Sequence, residues 1–86
     1  MALFYWDHTE GGNVEHIAEH GLTPEDVEEA FANTLKRTKS RSTKRPAIFG
    51  ETSDGRIIFV VYEFEIDDDG NEIIYVSTAY TVGDEP

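Results

Sequence analysis

A short basic segment at residues 36–45 (KRTKSRSTKR) holds most of the positive charge of this 86-residue chain. Six of its ten residues are Lys or Arg, whereas the whole chain has seven basic residues, 18 acidic residues and a formal net charge of −11. Like charges so close together repel one another, so we expect a compensating group of opposite charge. The chemistry open to this segment is ion pairing with the chain's own carboxylates, with an acidic partner protein or with nucleic-acid phosphates.

Two other groups of residues have side chains that bind metal ions in other proteins. His16 and His20 are four residues apart in a predicted helix and could hold one ion, but the sequence offers no evident third ligand. The segment that they bound is not the HExxH zinc motif, because its glutamate is misplaced. The acidic run at 67–72 (DDDGNE) has its glycine too early for an EF-hand. We therefore predict no metal site, exposed histidines and a solvated turn.

Length and composition predict one small folded domain. The chain has one Trp, four Tyr and five Phe, which supply large apolar areas for a core, and it has no Cys for disulfides or thiolate chemistry. No stretch approaches the ~20 apolar residues that span a bilayer, and the first residues do not have the pattern of a signal peptide. These features favour a cytoplasmic location. A pI near 4.4 argues against unspecific nucleic-acid binding, so any such binding requires one locally positive site.

Local signals predict a strand and two helices in the first third of the chain. The aromatic run at 2–6 is typical of a strand, and apolar periodicity predicts a first helix at 13–20 that ends at Gly21. A second helix begins after Thr23, an N-cap residue, with Pro24 at its first position. Its buried face is predicted to consist of Val27, Ala30 and Phe31.

The remainder of the sequence predicts strands joined by tight turns. The basic segment is predicted to be extended, and the runs PAIFGET and RIIFVVYEFEI are joined by SDG, a strong hairpin signal. The run at 67–72 predicts another turn, and IIYVSTAYTV is the last strand. The order predicts an α+β fold in a single domain (residues 1–86), with the two N-terminal helices packed on one face of an antiparallel sheet.

These elements and their punctuation resemble the BrnT family, toxins of bacterial type II toxin–antitoxin modules with a RelE-like fold. The matching features extend over nearly the whole chain: Trp6-Asp7, Asn13, His20-Gly21, the helix motif at 22–31, Arg45, Gly50, the SDGR turn at 53–56 and Val60-Val61. The resemblance implies the RelE-like order β-α-α-β-β-β(-β) and a metal-independent ribonuclease that needs no cofactor. It also implies a partner antitoxin that represses the operon.

RNA cleavage of this kind begins with attack of the ribose 2′-hydroxyl on the adjacent phosphate. The protein must offset the negative charge that develops on the phosphate oxygens, and Arg and Lys side chains can do so. On this interpretation Arg45, Arg56 and Tyr80 are the predicted catalytic residues of a basic cleft, and the resemblance supports Arg45 and Arg56, which fall on its motif positions. Arg41 and Lys44 are its predicted RNA-binding residues. Tyr80 would stack on a base or donate a proton.

Each of these residues also has a purely structural interpretation. Arg45 and Arg56 could pair with carboxylates across the hairpin, namely Glu51, Asp54 or Glu63. Tyr80 could belong to the core, because strict alternation places it on one face with four other residues, Ile74, Val76, Thr78 and Val82. Lys36, Arg37 and Lys39 could protect an edge strand from pairing or contact an antitoxin.

Three functional hypotheses follow from the sequence. The first is a ribonuclease toxin of a type II toxin–antitoxin module that binds RNA in its basic cleft. The second is a catalytically inactive protein-interaction module that keeps the fold, which is favoured by Ala79 and Tyr80 standing where the family usually has Arg in the last strand. The third is an α+β domain whose basic segment only neutralises its own acidic surface.

Overall fold

The computed structural model describes residues 2–83, with no side-chain description for residue 2. Seven elements follow one another along the chain: β1 (Ala2–Tyr5), α1 (Asn13–Ala18), α2 (Pro24–Ala32), β2 (Thr34–Lys39), β3 (Pro46–Glu51), β4 (Ile57–Ile66) and β5 (Glu72–Thr81). The strands form one sheet in the order β1-β5-β4-β3-β2. Neither helix is long and apolar enough to cross a bilayer.

The α+β class is confirmed, but the sheet is mixed rather than antiparallel as predicted. Strands β2 to β5 form an antiparallel meander, whereas β1 pairs in parallel with β5, from Ala2 opposite Glu72 to Tyr5 opposite Tyr75. A turn or short loop joins each strand to the next from β2 to β5, so the chain reverses each time and neighbouring strands run antiparallel. The connection from β1 runs through both helices instead, so β1 is free to join the far edge in the parallel sense.

The first helix ends at Ala18, two residues earlier than the sequence predicted. Gly21 has a φ of +76°, and the Leu22 amide donates a hydrogen bond to the Ile17 carbonyl at 3.1 Å. This left-handed residue reverses the chain before another helical turn can form. Leu22 and Ile17 are both buried, so the reversal also fixes the helix against the sheet.

The second helix begins at a complete capping box. The Thr23 hydroxyl accepts a hydrogen bond from the Asp26 amide at 3.3 Å, and the Asp26 carboxylate accepts one from the Thr23 amide at 3.0 Å. Pro24 occupies the first turn, as predicted. Val27 and Ala30 are completely buried against the sheet, and Phe31 packs beside them.

Both helices lie on one face of the sheet, which we call the helix face, and the other face is the open face. The core lies between the helices and the helix face. The strand residues that contribute to it are Ile48, Ile58, Val60, Tyr62, Ile74, Val76 and Ala79. The rings of Phe4 and Tyr62 each meet Phe31 edge to face, with centroids 5.1 and 5.0 Å apart.

The closest approach of helix and sheet occurs at Gly50 in β3. A Cβ atom at this position would overlap the backbone carbonyl of Ala30 and lie 2.7 Å from the Ala30 Cα. Glycine therefore allows α2 to lie directly on β3 without an intervening side chain.

We expect the Gly50→Ala variant to lose more than about 3 kcal/mol of unfolding free energy, because main-chain atoms on both sides must separate. The control is Gly70→Ala, whose Cβ would meet no atom within 4 Å and which suffers only from its φ of +84°. That strain costs about 1 kcal/mol. Urea denaturation of both variants measures the difference, and equal losses would contradict the close packing described for Gly50.

Candidate functional site

Arg56, predicted to be catalytic, lies immediately before β4 and beside the first turn of α2. Its Nε donates to both carboxylate oxygens of Asp54 at 3.0 Å, and its Nη2 donates to Asp26 Oδ1 at 2.9 Å. The Asp26 side chain is only 17% exposed, and that of Arg56 is 34% exposed. Asp26 is also the capping-box residue of α2. The guanidinium therefore joins the β3–β4 turn to the helix and is occupied by two carboxylates.

The β3–β4 turn is built to hold the Asp54 carboxylate in its ionised form. The hydroxyl of buried Thr52 donates to Asp54 Oδ1, and this bond together with those from Arg56 lowers the pKa of Asp54 below its ordinary 3.8. The hydrogen bonds of Arg56 to Asp54, and to a smaller extent to Asp26, raise the pKa of Arg56. The predicted pairing of Arg56 with Asp54 is thus present, and Asp26 is an additional partner.

Arg45, the second predicted catalytic arginine, extends over the open face from the end of the β2–β3 loop. Its Nε lies 3.1 Å from Glu63 Oε1, and its Nη1 donates to the Ser77 hydroxyl at 2.9 Å. Glu63 was one of the carboxylates that the sequence suggested as a partner. Arg45 consequently links the loop to β4 and β5 across the sheet.

The two predicted catalytic arginines do not meet in one cleft. Arg45 precedes β3 and Arg56 follows it, so the length of β3, about 20 Å, separates their backbones. Arg56 binds at the helix face through Asp26, and Arg45 binds Glu63 on the open face. A single phosphate cannot contact both guanidinium groups in this arrangement.

A different pair of predicted site residues does share a groove. Arg41 and Tyr80 line a groove of about 480 Å³ on the open face, together with Phe49 and Phe59. Phe49, Phe59 and Tyr80 are directly opposite one another on adjacent strands, with ring centroids 4.8 and 5.4 Å apart. Lys36 of β2 extends this row by pairing with Phe49. Strand register brings these three rings together, so the aromatic row is not evident in the sequence.

Tyr80 lies on the open face, and the predicted alternation of β5 is wrong beyond Val76. The register between β4 and β5 shifts at this point: Val61 pairs with Thr78 and Tyr62 with Val76, so that Ser77 is left as an extra residue. Because of this bulge, the residues of β5 after Ser77 point to the face opposite to the one that strict alternation predicts. Ala79 is therefore completely buried in the core, whereas Tyr80 is half-buried in the aromatic row.

Lys44, predicted to bind RNA, lies with Arg45 beside another groove rather than with Arg41. The groove has a volume of about 620 Å³ and is also lined by Pro46, Phe64 and other residues of the β4–β5 hairpin. The loop at 40–45 is closed by backbone bonds from Ser40 N to Arg45 O at 2.9 Å and from Lys44 N to Ser40 O at 2.8 Å. These bonds direct Lys44 and Arg41 to different parts of the surface.

Most of the basic segment has no carboxylate partner within residues 2–83. Arg45 and Arg56 form ion pairs, whereas five other cations do not: Lys36, Arg37, Lys39, Arg41 and Lys44. The first three are on β2, which is an edge strand as one interpretation of the sequence proposed. Among residues 2–83, direct ion pairs with carboxylates thus engage one of the six cations of the basic segment, Arg45.

The histidines and the acidic turn do not form a metal centre in the part of the chain that the structure describes. No three His, Asp or Glu side chains among these residues are arranged to hold an ion. The rings of His16 and His20 are 6.1 Å apart, and His16 lies 3.8 Å from Glu19. Asp67 instead accepts hydrogen bonds from the amides of Asp69 and Asn71, which lower the pKa of Asp67 and shape the hairpin turn.

The fold and the site define an α+β protein with a five-stranded mixed sheet and two separately anchored arginines. A scan against protein-family models, a search of curated proteins and a search of solved structures give no significant match to this chain.

We expect the stabilising effect of Asp54 to depend on pH. Because its pKa is lower in the folded protein than the ordinary 3.8, its contribution is complete above that value and is lost as the pH falls through the folded-state pKa. The difference in unfolding free energy between the wild type and Asp54→Asn should therefore be largest at neutral pH and shrink well below pH 3.8. Urea denaturation of both proteins over a pH series measures this difference in unfolding free energy.

The matched control is Asp68→Asn, which removes the same charge from an exposed turn. The Asp68 carboxylate has no hydrogen-bond partner among residues 2–83. The Asp68→Asn variant therefore measures the effect of removing one negative charge without breaking the hydrogen bonds between Thr52, Asp54 and Arg56. A difference for Asp54→Asn that is constant with pH, or equal to that of the control, would contradict the role assigned to the carboxylate.

Proposed function

We propose that this chain is a protein-interaction module that keeps a BrnT-like toxin architecture and does not cleave RNA. The observation that carries the proposal is the occupation of both predicted catalytic arginines by carboxylates. Arg56 is bound by Asp54 and Asp26, and Arg45 is bound by Glu63. The proposed partner is another protein, in the position that an antitoxin has in such modules.

Catalysis by either of these arginines would carry an energetic cost. Stabilising the negative charge that develops on a cleaved phosphate needs cationic donors that are already directed at it. Arg56 would have to leave two carboxylates and a partly buried position, and either carboxylate would then repel the phosphate. Arg45 would have to leave Glu63 and Ser77. Both arginines therefore contribute to the folded structure and not to transition-state binding.

The overall charge supports the same conclusion. A net charge of −11 disfavours approach of RNA, whose binding derives largely from neutralisation of phosphates. In addition, the last strand has Ala79 and Tyr80 where the resembled family usually has Arg, and Ala79 is buried in the core. β5 contains no arginine, so this strand supplies no guanidinium group for the reaction.

RNA cleavage is kept as a second candidate function because of the groove that Arg41 and Tyr80 share. Aromatic rings on a sheet face can stack on unpaired bases, and Arg41 has no carboxylate partner within the described range. In this candidate Tyr80 donates a proton to the departing 5′-oxygen, solvent water takes the proton of the attacking 2′-hydroxyl, and Arg41 binds the phosphate. This candidate uses neither Arg45 nor Arg56 in the reaction.

We expect the purified chain to leave single-stranded RNA intact in buffer with EDTA, and its expression to leave bacterial growth unaffected. RNA integrity is measured on denaturing gels, with Arg41→Ala and Tyr80→Phe assayed beside the wild type. Cleavage that either variant reduces by about 100-fold or more would overturn the proposal in favour of the second candidate. The control variant is Lys39→Ala, which removes a neighbouring cation of the same groove.

A further inference from the structure

The distal part of the β4–β5 hairpin has an unpaired strand edge. β3 pairs with β4 from Glu51 opposite Ile57 to Ala47 opposite Val61, and it begins at Pro46. Beyond that point, residues 63–66 of β4 pair with β5 and with no second strand among residues 2–83. A groove of about 620 Å³ lies beside this edge, lined by Lys44, Arg45 and Pro46 on one side and by hairpin residues on the other, namely Glu63, Phe64, Glu65 and Tyr75. Its position leaves room for one extended segment beside β4.

The side chains along this edge alternate between acidic and large apolar residues. Phe64 is 51% exposed and Ile66 is 59% exposed on the helix face, beyond the area that the two short helices cover. Glu63 and Glu65 point to the open face. Apolar side chains of this size that are exposed next to a free strand edge indicate a surface that another chain covers.

The charge of the β4–β5 hairpin indicates what kind of partner chain would cover this surface. Residues 63–72 (EFEIDDDGNE) contain six acidic residues and no basic residue. Arg45 offsets one of them by pairing with Glu63, and Glu65 accepts a hydrogen bond from the Tyr75 hydroxyl at 2.9 Å, which raises the pKa of Tyr75. The other five acidic residues have no cationic partner among residues 2–83.

We infer that residues 63–66 bind an extended segment of another protein that alternates basic and apolar residues. The segment adds to the sheet beside β4 in line with β3, so its backbone pairs with the unpaired edge. Its apolar side chains then cover Phe64 and Ile66 on the helix face, and its basic side chains meet Glu65 and the acidic turn on the open face. This inference rests on the proposed function as an interaction module and specifies its surface and partner.

The outer edge of β2 is less suited to such a partner. The outer edge of β2 has Lys36, Arg37 and Lys39, and cations on an edge strand oppose strand addition. A second copy of the chain is also disfavoured as the occupant, because two molecules of charge −11 repel each other. A basic partner is attracted over a distance by the same charge.

The test uses the full chain and a fluorescent probe peptide, acetyl-Lys-Val-Lys-Val-Lys-Val-amide. A second peptide of equal composition, acetyl-Lys-Lys-Lys-Val-Val-Val-amide, controls for charge alone. We expect fluorescence anisotropy to show tighter binding of the alternating peptide. NMR shifts and new amide-exchange protection should map to residues 63–66. The double variant Phe64→Ser, Ile66→Ser should weaken this binding about tenfold or more.

Charge variants separate contact at the edge from general attraction. Glu65→Lys should weaken binding of the alternating peptide about tenfold, whereas Asp68→Lys, with the same change of charge in the turn, should have a smaller effect. Equal binding of both peptides, or NMR shifts on β2 instead, would overturn the inference. Sedimentation of the chain alone as a dimer that the double Ser variant abolishes would assign the edge to a second copy and overturn it as well.

The two proposals fail separately. RNA cleavage by the purified chain overturns the proposed function and does not involve the peptide. Absence of specific peptide binding, in a chain that leaves RNA intact, overturns only the surface and the partner inferred for residues 63–66.

Discussion

The direct contact of α2 with β3 at Gly50 is the constraint on which the rest of the arrangement depends. Because no side chain separates Ala30 from Gly50, the helix lies low on the sheet and its first turn is brought to the β3–β4 turn. Only at that distance can Arg56 reach Asp26, which also caps the helix. Helix capping, turn formation and helix docking thereby share one set of hydrogen bonds. The Arg56 guanidinium is held by two carboxylates within this network.

Several residues that carry the family resemblance have structural roles of this kind. Asn13 accepts a hydrogen bond from the Asp7 amide and donates to the Tyr5 carbonyl, so it fastens the end of β1 to α1. Gly21 reverses the chain after α1, and Gly50 admits α2. A resemblance built on such residues indicates architecture. Activity depends on side chains that the architecture leaves free, and these must be identified separately.

The sequence predicted what neighbouring residues determine, such as the Thr23 cap and the hairpin turn before Arg56. It did not predict the parallel pairing of β1 with β5, because this pairing joins residues 70 positions apart in the sequence. It also could not reveal the bulge at Ser77, which moves Tyr80 to the open face and creates the aromatic row. For the site, the pairing of Arg56 with Asp54 could be proposed from a separation of two residues. The contact of Arg45 with Ser77 depends on register across three strands.

The basic segment and the acidic hairpin lie at the same end of the sheet, yet they neutralise each other only through Arg45 and Glu63. The loop at 40–45 closes on itself through its backbone, so Lys44 stays beside the groove without an ion pair in the described part of the chain. For the proposed partner segment, carboxylates along the strand and a cation at its inner end would favour one direction as well as one composition. Basic residues would lie along residues 63–66, and an acidic group would lie where the segment approaches Lys44.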